Sequence, residues 1–88
     1  MSTVITPAEA NRNFSENLRA GCQRLELTQG DVARAIRAKG EDLQVTRNKV
    51  SRFFNGTFSR IDPSDLANIA ALLETTVDDL LAKPKKKS

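Results

Sequence analysis

Apolar residues recur along this chain at separations of three and four, and no run of four or more residues sustains the alternation of a half-buried strand. Phe14, Leu18, Cys22 and Leu25 form one such stripe, which a helix would bury along a single face. Ahead of them Thr6-Pro7-Ala8-Glu9 predicts the helix start, with Thr6 as cap, Pro7 at the first helical position and Glu9 reaching back to the cap; residues before Asn13 are expected to fray. Thr28-Gln29-Gly30-Asp31 predicts a second capped start, with Val32, Ala33 and Ile36 as its apolar face and Gly40 as its C-terminal stop. A third helix is expected from Thr46, whose hydroxyl caps it, to about Phe54, where Asn55-Gly56 ends it. Asp62-Pro63-Ser64-Asp65 opens a fourth that buries Leu66, Ile69, Ala70 and Leu73. Thr76 caps a last short helix carrying Val77, Leu80 and Leu81, and Pro84 ends it. The expected fold class is all-α, a compact five-helix domain without internal repeats.

Length and composition narrow the possibilities. With 88 residues the chain makes one domain, expected to span residues 1–82. A domain of this size buries a limited fraction of its surface, so self-association is a natural source of extra stability. Cys22 is alone and His is absent, which excludes an internal disulfide framework and a zinc site of Cys/His type. No metal and no cofactor are expected. Residues 1–10 show no basic region followed by an apolar run, and no stretch approaches membrane-spanning length, so a soluble cytoplasmic protein is expected.

The formal charge of +3 conceals a division along the chain. Residues 34–60 carry a net +5, from Arg34, Arg37, Lys39, Arg47, Lys49, Arg52 and Arg60 against Glu41 and Asp42. Residues 62–79 carry −5, with no basic side chain. Such a chain offers one face to a polyanion and turns another away from it. The tail, residues 83–88, adds four lysines with nothing that could pack and is expected to be disordered; Lys85, Lys86 and Lys87 either neutralise phosphates or merely solubilise the end.

Candidate chemistry lies on the third helix. At 100° per residue Val50, Phe53 and Phe54 point one way, and Arg47, Asn48, Ser51 and Arg52 point the other. Arg and Asn carry the bidentate donors that match base edges in the major groove, Arg to guanine and Asn to adenine. Lys49 and Arg60 flank that face, and Gln29 stands where its amide and the free N–H groups of a helix start could hold phosphate.

Gln29-x-x-Val32-Ala33-x-x-Ile36, Val45-Thr46-x-x-x-Val50-Ser51-x-Phe53-x-Asn55-Gly56, Leu66-x-x-Ile69-Ala70 and Val77-x-x-Leu80-Leu81 together resemble the phage repressor and Cro-like helix-turn-helix family, the XRE-type transcriptional regulators. The resemblance spans about residues 14–82. It implies a dimer on palindromic operator DNA, with Gln29 on the backbone, Arg47, Asn48, Ser51 and Arg52 reading bases, and Lys49, Asn55, Thr57 and Arg60 beside phosphates. The chain departs from the family in two places. Eight residues, Arg37 through Gln44, separate Ile36 from Val45 where about one is usual, and Phe54 stands where Glu is common. The expected accommodation is a second helix prolonged by a turn, with Leu43 tucking the returning loop against the core.

Each feature has a plainer counterpart. Cys22 reads as a small core residue, and Asp62, Asp65, Asp78 and Asp79 as helix-start carboxylates. The Arg and Asn face could be a solvated helix surface. Without His or Tyr, no nucleophile and base can be assembled, so no enzymatic activity is expected. The expected function is sequence-specific regulation of transcription by a homodimer joined through Val77, Leu80 and Leu81. The alternative is an antitoxin-like interaction module, whose cationic protein partner covers the acidic stretch from Asp62 to Asp79 and whose DNA binding is autoregulatory.

Overall fold

The computed structural model describes residues 7–58 and 60–83, and among them the chain forms five helices and no strand. They are α1 (Pro7–Leu25), α2 (Gln29–Ile36), α3 (Leu43–Asn55), α4 (Pro63–Leu72) and α5 (Val77–Leu81). Packing follows a closed ring: α1 lies against α3 and α5, α2 against α3 and α4, and α4 against α5. The core fills the ring, and every helix contributes to it.

Local chemistry accounts for most of the boundaries. α1 is helical from Pro7 onward, and Asn11 is tied to the rest of the fold by donating to the Phe58 carbonyl at 3.0 Å, so of the stretch expected to fray, residues 7–12 are helical. The expected cap at Thr6 lies outside the described residues. The α1 C-terminus turns at Glu26, which takes a positive φ of 56° while the Leu27 N–H reaches back to the Cys22 carbonyl at 2.8 Å. α2 starts with the expected capping box. The Thr28 hydroxyl accepts from the Asp31 N–H at 3.2 Å and the Asp31 carboxylate accepts from the Thr28 N–H at 2.9 Å. α5 is capped likewise, Thr76 accepting from the Asp79 N–H at 3.1 Å.

The link between α2 and α3 differs from the expectation at both ends. α2 stops at Ile36 instead of running on toward Gly40, because Arg37 is extended and its Nε donates to the Glu41 carbonyl at 2.8 Å. Gly40, at φ 84°, is the third residue of a turn closed by the Glu41 N–H on the Ala38 carbonyl, a conformation that favours glycine. α3 starts three residues before Thr46, capped by the Asp42 carboxylate on the Gln44 N–H at 2.7 Å. Thr46 is a fully buried residue inside the helix, and its hydroxyl donates to the Glu41 carboxylate. That bond, not Leu43, fastens the link. Leu43 remains 39% exposed at the head of α3.

Two further expectations are modified. Asp62 holds the cap position of α4 with Pro63 following it, but its side chain makes no capping bond. Asp65, read as a helix-start carboxylate, is buried.

The core centres on three aromatic rings. Phe14 of α1, Phe53 of α3 and Phe58 after α3 meet edge to face in a triangle, with centroids 5.1–5.6 Å apart. Leu18, Val32, Ala33, Ile36, Val50, Ile69, Ala70, Leu73 and Leu80 pack around them. Cys22 belongs to the same cluster, and burial, with the nearby Asp31 charge, pushes its thiol pKa up, which disfavours the reactive thiolate.

This distribution of burial predicts unequal truncations. Phe14→Ala should lower unfolding stability by about 3–5 kcal/mol, whereas Leu43→Ala should lower it by no more than about 1 kcal/mol, as read by urea titration. A large loss at Leu43 would restore that side chain as the anchor of the link.

Candidate nucleic-acid interface

The proposed reading surface is built by the amphipathic periodicity of α3. Thr46, Val50 and Phe53 are buried, at separations of four and three, so they define the inward stripe. The opposite side presents Gln44, Val45, Asn48, Arg52 and Asn55, all exposed, with Arg47 exposed at one edge. Ser51 is half-buried beside them, so of the four expected base-facing residues three are exposed and one is partly covered. Because α3 begins at Leu43, this surface is about a turn longer than the sequence pattern indicated. Gln44 and Val45 join the surface because Asp42, not Thr46, caps the helix. The Gln44 amide donates to the Asn48 side-chain oxygen at 3.1 Å, which ties the two amides together at one helical turn.

Contacts at both ends and on its flank fix the pose of α3. At the N-terminus Thr46 and Glu41 join helix to link. At the C-terminus Gly56 adopts φ 72°, and one of the last carbonyls takes two donors from α1: Ser15 at 2.7 Å and Arg19 at 2.8 Å both donate to the Phe54 carbonyl. On the flank the Lys49 ammonium lies 3.3 Å from the Asp65 carboxylate of α4. The Lys49 side chain is 27% exposed and that of Asp65 8%, so this is an ion pair drawn largely out of water. Lys49, expected beside phosphate, is thereby engaged within the fold.

The remaining predicted contacts divide among three clefts. Gln29, the first residue of α2, is exposed and lines a cleft with Arg34 and Arg47. Thr57 and Arg60 line a second cleft with Arg52, over the Lys49–Asp65 pair. Asn55 lies in a third, on the other side of the α3 terminus, with Arg12 and Arg19 of α1. Neither arginine is marked by the sequence pattern, because only the packing of α1 against α3 brings them to this edge. Lys85, Lys86 and Lys87 lie outside the described residues. Among the expected dimer contacts, Leu80 is 1% exposed and packed in the monomer core, so it cannot offer a free surface without unpacking α5. Val77 and Leu81 are half-buried.

The electrostatics have one titrating feature that follows from geometry. The backbone N–H of Thr28 and the Arg34 guanidinium, 2.7 Å away, hold the Asp31 carboxyl below its usual range. No group of three or more His, Cys, Asp or Glu that could hold a metal occurs among the described residues, and no helix there is long and apolar enough to cross a membrane.

An α2–α3 pair with α3 carrying a free polar face is the arrangement that defines helix-turn-helix proteins. The helix-turn-helix domain family matches residues 13–82, and the chain belongs to it. No curated protein and no solved structure gives a significant match.

Two measurements follow from these contacts. Lys49→Ala leaves a buried carboxylate without its partner and should lower stability by about 1–3 kcal/mol, while the apolar pair Lys49→Met with Asp65→Leu should recover most of that loss. Equal destabilisation by both would show that the pair contributes nothing specific. For Asp31, whose folded-state pKa is lowered, the contribution to stability is fully present above the unfolded carboxyl value of about 4 and is lost as pH falls through the folded value. The stability difference between the native chain and Asp31→Asn should therefore shrink steadily below about pH 4.

Proposed function

We propose that this protein is a sequence-specific DNA-binding regulator of transcription, a repressor or Cro-like protein without enzymatic activity, acting in the bacterial cytoplasm as a homodimer on a palindromic operator. The observation that carries the reading is the outward face of α3, where Arg47, Asn48 and Arg52 are exposed on a helix held at both ends by side-chain bonds. A rigid helix of this width fits the major groove, and those side chains present base-matching donors there. Gln29 on one side, and Thr57, Arg60 and Asn55 around the C-terminus of α3, would make the phosphate contacts that set the register. Lys49 serves this surface indirectly, by bracing α3 against α4. Val77 and Leu81 are the apolar residues left for self-contact once Leu80 is assigned to the core.

The antitoxin-like alternative draws on one feature: Glu74, Asp78 and Asp79 are exposed and take part in no ion pair among the described residues. A cationic partner protein would cover them.

The test begins with selection of bound duplexes from random DNA, which should return a two-fold symmetric consensus with half-site centres about 34 Å apart. On that consensus Arg52→Ala should weaken binding by about 1–3 kcal/mol, and by much less on scrambled duplex. Equal losses on both duplexes would make α3 a backbone clamp, and selection without a consensus would refute the proposal.

A further inference from the structure

Two large apolar side chains are exposed among the described residues, Leu43 at 39% and Val45 at 51%, and both belong to the first turn of α3. A lone apolar residue on a protein surface is ordinary. The neighbours of Val45 make its position informative. It lies on the stripe of Asn48 and Arg52, three and seven residues on, so it is offset from Arg52 by about 20° of helical rotation. Leu43 lies at the other edge of the helix, in the cleft that holds Gln29 and Arg34. Gln44 stands next to Val45 and bonds to Asn48 at 3.1 Å, so Val45 is the apolar member of an otherwise amide and guanidinium surface.

The floor of the major groove is polar except for one group, the C5 methyl of thymine. Residues near the N-terminus of a recognition helix approach that floor most closely. On the DNA-binding reading given above, on which this inference rests, a β-branched apolar side chain exposed at the third residue of α3 has one complementary feature to meet. We infer that Val45 is a specificity-determining residue that covers a thymine methyl in each half-site. The surface is unsuited to a lipid or to the apolar core of another protein, because Asn48 and Arg52 on the same stripe would have to be desolvated with it.

Deoxyuridine differs from thymine by that methyl alone, which makes the inference testable on the selected operator. Each thymine is replaced singly by deoxyuridine, and binding is measured for the native chain, Val45→Ala and Val45→Ile. One thymine per half-site should respond in the native chain, with affinity falling about four-fold, the worth of one methyl withdrawn from water. Val45→Ala should bind the thymine operator several-fold more weakly and show no response at that position, while Val45→Ile keeps it. The exposure of Val45 makes a folding defect in either variant unexpected, and circular dichroism checks it. A native chain indifferent to every deoxyuridine, or a Val45→Ala chain with the same response as the native one, overturns the inference while leaving DNA binding intact. A Val45→Ala chain that shifts the monomer–dimer balance with the deoxyuridine response unchanged assigns Val45 to a self-contact, and also overturns it. Selection without any consensus refutes the regulatory reading itself, a result distinguishable from the others.

Discussion

A helix ends in carbonyls that have no donor of their own, and in this protein one helix supplies donors to three others. Asn17 of α1 lies within 2.8–3.1 Å of the Asp79, Leu80 and Ala82 carbonyls around the end of α5, and Asn13 donates to Leu81. Arg24 donates to the Leu73 carbonyl at the end of α4, and Ser15 and Arg19 to that of Phe54 near the end of α3. An unpaired buried carbonyl is expensive and each such bond is modest in net worth, so the set matters more as a specification of geometry than as a sum. Each of these three helices ends in the place where α1 has a donor waiting. The Phe14, Phe53 and Phe58 rings fix the distance between α1 and α3, and the polar contacts fix the register.

Groove reading depends on a helix whose orientation does not wander, because a base contact is won or lost over a fraction of an ångström. α3 meets that requirement through chemically different attachments. Its head is joined to the preceding link through Thr46 and Glu41, its flank is drawn to α4 through Lys49 and Asp65, and its tail is turned by Gly56 and bonded by α1. None of these uses the outward face. The division explains how a helix with so many polar residues can be anchored firmly and still present free donors.

What the sequence made legible was the local part. Thr28 with Asp31 and Thr76 with Asp79 are bonds between residues three apart, so the residue types and their spacing already imply them. The five helices, the core stripe of α1 and the outward placement of Arg47, Asn48 and Arg52 follow from periodicity in the same way. The link between α2 and α3 departs from the sequence pattern because two signals there are ambiguous. Gly40 suits a helix stop as well as the turn it occupies, and both Asp42 and Thr46 are good caps. The separation of Thr46, Val50 and Phe53 would have decided the second question, since a residue on the inward stripe is not a cap. The partners of Lys49, Asn17 and Arg19 are 16 or more residues away in sequence, and no local rule reaches them.

Charge and direction are consequently carried by different residues. With Lys49 engaged by Asp65, the outward face of α3 keeps two guanidinium groups, Arg47 and Arg52, among amides and one exposed valine. That surface is poor in simple charge and rich in groups whose hydrogen bonds have fixed directions, which suits discrimination among bases better than attraction to a polyanion. The basic residues at the rim, Arg12, Arg19, Arg34 and Arg60, come from three separate parts of the chain and reach the edges of α3 only through folding. Exposed Glu74, Asp78 and Asp79 lie in the acidic stretch that includes α4 and α5, a sign unsuited to phosphate. On the proposed DNA-binding reading, an approaching duplex would be oriented by the rim before the outward face of α3 came within hydrogen-bonding distance, so the residues that attract DNA would not need to be the ones that distinguish its sequence.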